Sequence, residues 1–255
     1  MTELNNTQPQ TPFNILLIGD NCTDIYQYGT VDRISPEAPI PVFVPTHSEE
    51  REGMGGNVYA NLKALGCEVN FLCGRISKKT RLIDSRSKQQ IVRIDEDVKS
   101  KPIVIDSEIP PIYDAYVISD YNKGVVSYEL VEQLIASGNP VFVDTKKTDL
   151  ARFQGAWVKI NELEYSKLTS ECTGLITTLG GQGARLWDEI YPTKKVEVTD
   201  VCGAGDTFLS ALTVQYLYTN DIKKAIMFAN VAAGITVQHL GNYAPTYDEI
   251  RIAGY

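Results

Sequence analysis

Short apolar runs closed by a polar or glycine residue recur along the chain and alternate with segments of helical period. Asn14–Gly19 (N-I-L-L-I-G) is uninterrupted and rich in branched residues, which predicts a buried strand ending at Asp20. Val69–Cys73, Ala115–Ser119, Val141–Val143, Trp157–Ile160 and Leu175–Thr178 read the same way, the last four ending at Asp120, Asp144, Asn161 and Leu179-Gly180. Between them lie helices. One starts at Asn57 and closes at Gly66, with Val58, Asn61, Leu62 and Leu65 on one face. Another is Tyr128–Ser137, closed by Gly138, and a long one runs from an N-cap at Asp221 to about Leu240, closed by Gly241.

Gly29–Pro45 breaks this rhythm. Its four prolines exclude a helix and disfavour a central strand, and the alternation in Ile40–Val44 suits an edge strand or flap. Glu49–Glu52 is charged and reads as solvated, and Gln90–Asp95 reads as a second flap strand. The alternation as a whole predicts an α/β fold with a mostly parallel central sheet. Ligands of such folds gather at the carboxyl ends of strands, and here five strands end in Asp20, Asp120, Asp144, Asn161 and the Thr178–Gly180 step.

At 255 residues the chain is long enough for one large domain or two small ones, and 43% hydrophobic with 22% charged residues fits a soluble globular protein. Residues 1–12 read as a polar, flexible tail, and 13–255 as the folded domain. A net charge of −8 argues against a nucleic-acid surface. Five scattered cysteines without a C-x-x-C pair predict reduced thiols in the cytoplasm, and two histidines argue against a zinc site. No apolar run reaches membrane-spanning length and no signal peptide is recognised, so no membrane association is expected.

The richest stretch is Thr199–Phe208, T-D-V-C-G-A-G-D-T-F. A strand-like run, Lys195–Val198, enters it, and an apolar helix-length run, Thr207–Tyr218, leaves it. Gly203 and Gly205 permit a turn and bare backbone N–H groups at a helix N-terminus, where an anion is favoured. Asp206 beside that site could take a proton from a hydroxyl. The combination suggests phosphoryl transfer; the plainer reading is a glycine turn capped by Asp206.

These residues resemble the ribokinase family of sugar kinases, the phosphofructokinase-B type, over about Phe13–Ile250. The resemblance rests on Gly53–Gly56 with Asn57 and the following helix, and on Asp200–Phe208, where the family reads D-T-x-G-A-G-D-x-F. Within the family the likeness is strongest to the kinase domain of heptose 7-phosphate kinases. It is carried by G-D-x-x-x-D-x-Y at Gly19–Tyr26, R-I-S-P-E-A-P-x-P-V at Arg33–Val42, K-T-R with Q-Q-x-x-R-x-D in Lys79–Asp95, and S-D-Y-x-K-G at Ser119–Gly124.

The resemblance implies a three-layer sandwich with a small β lid contributed by about 29–56 and 81–98. It implies ATP with Mg2+, a phosphorylated sugar as acceptor, and a homodimer formed through the flaps. In heptose enzymes the reacting group is the anomeric hydroxyl. By motif, Asp206 is the general base, and backbone N–H groups of Gly203, Ala204 and Gly205 hold the transferring phosphoryl group. Asp24, Asn57, Gly53 and Gly55 would contact the sugar, with Asp120 at the neighbouring strand end. Arg33, Arg81 and Lys123 are candidates for its distal phosphate. Asn161 and Glu164 would organise magnesium, with Glu164 acting through water. Lys146, Thr178, Gly180, Gly183, Asn230 and Gly241 would hold the nucleotide, and Asp200 could border a monovalent cation such as K+. Plainer readings stand beside these: an Asx turn for Asp24, solvated charges for the basic residues, and a capped helix start for Asn161 and Glu164.

The chain departs from the family pattern at Met54, where a second glycine is common, and in short segments between Gly74 and Lys79 and over Leu168–Gly174. Two classes therefore stay open: an active sugar kinase, for heptose 7-phosphate or another sugar, and a trimmed kinase-fold protein that binds nucleotide or sugar with little turnover.

Overall fold

A computed structural model describes residues 12–105 and 112–254; the tail expected at 1–12 lies almost wholly outside them. Among these residues ten strands form one sheet in the order β10-β9-β8-β7-β6-β5-β1-β3-β4, with β2 on β1. They are β1 (Asn14–Ile34), β2 (Pro41–Met54), β3 (Glu68–Asp84), β4 (Gln90–Glu96), β5 (Ala115–Asp120), β6 (Val141–Thr145), β7 (Trp157–Asn161), β8 (Leu175–Thr178), β9 (Ala184–Leu186) and β10 (Glu189–Tyr191). β3, β1, β5, β6, β7 and β8 run parallel.

Alternation along β1 shows why two helical layers are needed. Ile15 and Leu17 enter one core with Val58, Leu62, Leu212 and Phe228. Leu16 and Ile18 enter the other, with Leu130, Leu134 and Phe153. The first core is covered by α1 (Gly55–Ala64), α4 (Ala204–Thr219), α5 (Ile222–Thr236) and α6 (Tyr247–Ile252), and the second by α2 (Tyr128–Ala136). A one-turn helix, α3 (Glu162–Tyr165), follows β7 directly. Burial on both faces disfavours polar positions, so the strands read as largely apolar runs.

Several boundaries differ from expectation. The first strand does not end at Asp20. It continues to Ile34, leaving β5 at Gly19 and pairing with β2 from Asn21 onward while staying on β3 as far as Gly29. β3 likewise runs without interruption across the short Gly74–Lys79 segment into the lid, where β4 joins it. The lid is thus β2-β1-β3-β4, an extension of two core strands. Glu49–Glu52 belongs to β2. Lys195–Val198 is not a strand; it is part of the loop between β10 and α4. The helix capped by Asp221 ends at Thr236, earlier than expected, although the cap is present, with Asp221 Oδ1 accepting from the N–H groups of Lys223 and Lys224.

Candidate active site

The lid joins the core where β1 and β3 leave the main sheet, and the polar strand ends converge below it. α4 begins here. Gly203, its N-cap, has φ +75°, a left-handed conformation that suits glycine. The N–H groups of the following first turn have no intrahelical acceptor. A side chain at Gly205 would put its Cβ 2.6 Å from Lys159 Nζ, so the close approach of this ammonium to the turn requires glycine.

Asp206 sits in that first turn and is only 7% exposed. Its Oδ2 accepts from Asn57 Nδ2 at 2.7 Å, and its Oδ1 from the Tyr121 hydroxyl at 3.4 Å. Burial pushes its carboxyl up to about 6, with Asn57 working against and Asp144 adding to the rise. A buried carboxylate that titrates there suits proton abstraction near neutral pH.

Beneath the same turn lies an ion pair the sequence reading missed. Lys159 Nζ contacts Asp144 Oδ2 at 2.7 Å, and both side chains are about 5% exposed or less. Burial alone would raise the Asp144 carboxyl, but Lys159 and then Lys146 outweigh it and hold it low. A lysine between Val158 and Ile160 in a buried strand was the available signal, because such a charge must be paired. Asp144 and Lys159 are direct neighbours across β6 and β7.

On the lid side, Asp24 is buried and its Oδ1 accepts from Arg81 Nη1 at 2.5 Å. The Arg81 guanidinium also lies over the Tyr26 ring at 5.1 Å. Asp24 registers with Lys79, and Tyr26 with Arg81, so these four share the lid's inner face. Gly53 packs against Asp24 and Cys22, and Gly55 against Phe71 and the Asp20 carbonyl. Asp24, Asn57, Gly53 and Asp206 are therefore brought together, with Arg81 beside them. Met54, between the glycines, is buried with φ +51°.

On the opposite side of α4's N-terminus is a cavity of about 450 Å3. Thr178, Gly180, Gly183 and Asn230 line it, as do Ala204 and Gly205. Val196, Val198 and Val201 give it apolar walls, so the expected strand at Lys195–Val198 serves as cavity lining. Asn230 is fixed by donating to the Tyr191 carbonyl at 2.8 Å.

Five expected residues fall elsewhere or are already engaged. Gly241 is not in this cavity; its N–H donates to Asp200 Oδ2 at 2.9 Å. Asp120 is buried against Thr145 and Lys147, bonded to them at 2.7 and 2.5 Å, and so is closed to a sugar. Arg33 is exposed in the outer lid, opposite Val42. Lys123 pairs with Asp97. Lys146 lies outside the cavity, on Glu164 and over the Tyr121 ring at 5.1 Å.

Two ion sites were expected. Asn161 and Glu164 form a reciprocal capping box at the start of α3, which is the plainer reading of these residues. Glu164 also faces Lys146, and Asp144 Oδ1 is a buried oxygen with no hydrogen-bond partner. The described residues contain no group of three or more acidic, Cys or His side chains able to enclose a metal. Oxygen donors of this kind fit magnesium carried on phosphates and reached through water. Asp200 differs. Both its oxygens accept backbone N–H groups, from Cys202 and Gly241, which fixes the carboxylate beside the turn that leads into α4.

Comparison with known proteins bears on the family and the fold. The profile of the pfkB family carbohydrate kinases matches residues 127–249. The bifunctional protein HldE of Nitratiruptor is 33% identical over 298 residues, covering 93% of this chain. The chain spans 64% of that relative's length. Among solved structures, Arabidopsis thaliana ribokinase complexed with ribose and ATP superimposes with a TM-score of 0.74 at 15% identity, covering 96% of this chain and all of that one. Escherichia coli phosphofructokinase-2 in complex with potassium gives 0.71 at 16% identity, covering 95% and 98%. No helix among the described residues is long and apolar enough to cross a membrane.

Proposed function

Because the chain belongs to the pfkB family of carbohydrate kinases, we propose that it transfers the γ-phosphoryl group of ATP to the anomeric hydroxyl of a phosphorylated sugar, heptose 7-phosphate being the acceptor that fits best. One observation carries this reading. A buried carboxylate raised to about 6, Asp206, stands at a helix N-terminus with a cavity on one side and the Asp24–Arg81 pair of the lid on the other. The first-turn N–H groups and Lys159 supply fixed positive charge where a phosphoryl group would pass between the two. Magnesium carried with the nucleotide would neutralise phosphate charge there, and Glu164 and Asp144 are the acids placed to hold its waters.

Asp24 and Asn57 are suited to sugar hydroxyls. Arg81 and Lys79, on the lid's inner face, are better placed for a distal phosphate than Arg33 or Lys123. The heptose acceptor rests on the motifs that resemble heptose 7-phosphate kinases, at Gly19–Tyr26, Arg33–Val42, Lys79–Asp95 and Ser119–Gly124. The exposed lid residues Ile76, Val92 and Ile94 support a homodimer, and five unpaired thiols support a cytoplasmic setting.

The test is ADP formation from Mg-ATP with and without heptose 7-phosphate, using Asp206→Asn as the blank. An acceptor-dependent rate that the variant lacks is the expected result. ATP binding without acceptor-dependent ADP across heptose, hexose and pentose phosphates would refute it in favour of a binding protein. Light scattering should give twice the chain mass; a monomeric mass would refute the dimer.

A further inference from the structure

We propose that Tyr121 is a positioning residue for the transfer: its hydroxyl holds Oδ1 of Asp206 until an acceptor hydroxyl takes that place. This rests on the kinase reading above. The two oxygens of the base are not equivalent. Oδ2 is held by Asn57 at 2.7 Å, whereas Oδ1 has the looser contact with Tyr121, at 3.4 Å. A hydroxyl about to lose its proton needs a carboxylate oxygen that can be released, and only Oδ1 meets that description. Contacts of this kind are often long without substrate and rearrange once it binds.

Tyr121 is itself tightly placed. It follows β5 directly, and its N–H donates to Asp20 Oδ2 at 2.8 Å. Its ring lies beneath two ammonium groups, Lys146 at 5.1 Å and Lys79 of the lid at 5.7 Å. Neither contact uses the hydroxyl, so the phenol is aimed at the base by its ring, and the O–H is left for Oδ1. The residue thereby touches the lid, the base and the lysine paired with Glu164.

The other groups facing Asp206 are Asn57 of α1, Cys22 of β1, Asp144 of β6, Lys146 after it and Lys159 of β7. All of them remain in a Tyr121→Phe variant, which also keeps the ring and both cation contacts. Loss of the phenol therefore isolates one hydrogen bond. A donor to a carboxylate favours its ionised form, so removing it moves the midpoint upward.

The experiment compares wild type, Tyr121→Phe and Tyr121→Leu. The Asp206 carboxyl is titrated by NMR with 13C-labelled aspartate and assigned with Asp206→Asn; kinetics with Mg-ATP and the sugar phosphate are measured in parallel. In Tyr121→Phe the midpoint should rise by about 0.5–1 pH unit, the acid limb of kcat/KM, which reports the free enzyme, should move up with it, and KM for ATP should stay unchanged. Tyr121→Leu, which also removes the ring, should show the same shift and a lower kcat/KM. Equal midpoints in wild type and Tyr121→Phe overturn the proposal whether or not the protein turns over. A raised midpoint with no acceptor-dependent turnover in wild type supports the hold on Asp206 and refutes the kinase reading instead.

Discussion

Replacing Asp206 by Asn should have opposite effects on rate and stability. Burial holds this carboxyl at about 6 in the folded protein, against an ordinary value of 3.8. A base with that midpoint is roughly 90% ionised at pH 7 and only about 10% at pH 5, so turnover should fall about tenfold between them. Asp206→Asn should lower turnover about 10²–10⁴-fold and abolish that acid limb. Stability follows from the same shift. A carboxyl whose folded value lies above its unfolded value contributes stability below the unfolded value. That contribution is lost as pH rises through the folded one. Above pH 6 the buried charge therefore works against the fold by an amount on the order of 3 kcal/mol. Asn has the same shape and no charge, and its amide oxygen can still accept from Asn57. The variant should unfold at higher urea than wild type at pH 7.5, while the difference should shrink towards zero at pH 4. Parallel urea titrations at the two pH values, with ADP-release assays from pH 4.5 to 8, check both halves. An acid limb near pH 4, or a variant less stable than wild type at pH 7.5, would refute the reasoning from burial.

Further expectations concern residues around the base. Lys159→Met leaves Asp144 buried without its nearest partner and should cost about 3–5 kcal/mol in urea unfolding, most of it recovered in Lys159→Met/Asp144→Asn; a single-variant loss below about 1 kcal/mol would show the pair is not truly enclosed. Met54→Gly removes a left-handed backbone strain of about 1–3 kcal/mol along with a buried side chain worth a similar amount. It should therefore leave stability within about 1 kcal/mol, and a loss above about 3 kcal/mol would mean that Met54 is unstrained. Arg81→Met should raise the acceptor KM roughly ten- to hundredfold, as loss of a charged hydrogen bond predicts, with ATP affinity retained. Arg33→Met should change the acceptor KM less than about twofold, since an exposed charge contributes little, and steady-state kinetics on both variants separate the two.

The central strands were legible because each is buried on both faces and reads as a largely apolar run. The lid was only half legible. Gly29 and the prolines mark it as irregular, but nothing in the residues says that β1 and β3 pass from core to lid without a break. The β9–β10 hairpin was hidden because strands of three residues have no period to detect. At the site, the rule that polar strand ends gather ligands picked out the sheet edge on which Asp206, Asn57 and the start of α4 converge, and then treated unlike residues alike. Asp20, Asp120 and Asp144 all follow apolar runs. Asp20 binds the backbone of Tyr121 and Lys123, Asp120 is paired with Lys147, and only Asp144 faces the turn of α4, through Lys159. Which acid finds a cation depends on register between strands, as with Asp144 and Lys159, and register is a property of the sheet rather than of any one segment.

Glu164 shows how far a plain reading and a chemical one can be the same structure. Its Oε2 accepts from the Asn161 N–H at 2.9 Å, and Asn161 Oδ1 accepts from the Glu164 N–H at 2.9 Å. This box starts α3, a helix of a single turn that could hardly persist without a cap. The remaining oxygen, Oε1, is turned towards Lys146, which also approaches Asp144 at 3.6 Å. The cap thus fixes the carboxylate by one oxygen and presents the other to positive charge. A magnesium role for Glu164 would use Oε1, the oxygen the cap leaves to Lys146, so the cap does not conflict with it and would supply the rigidity that a weak, water-mediated ligand needs.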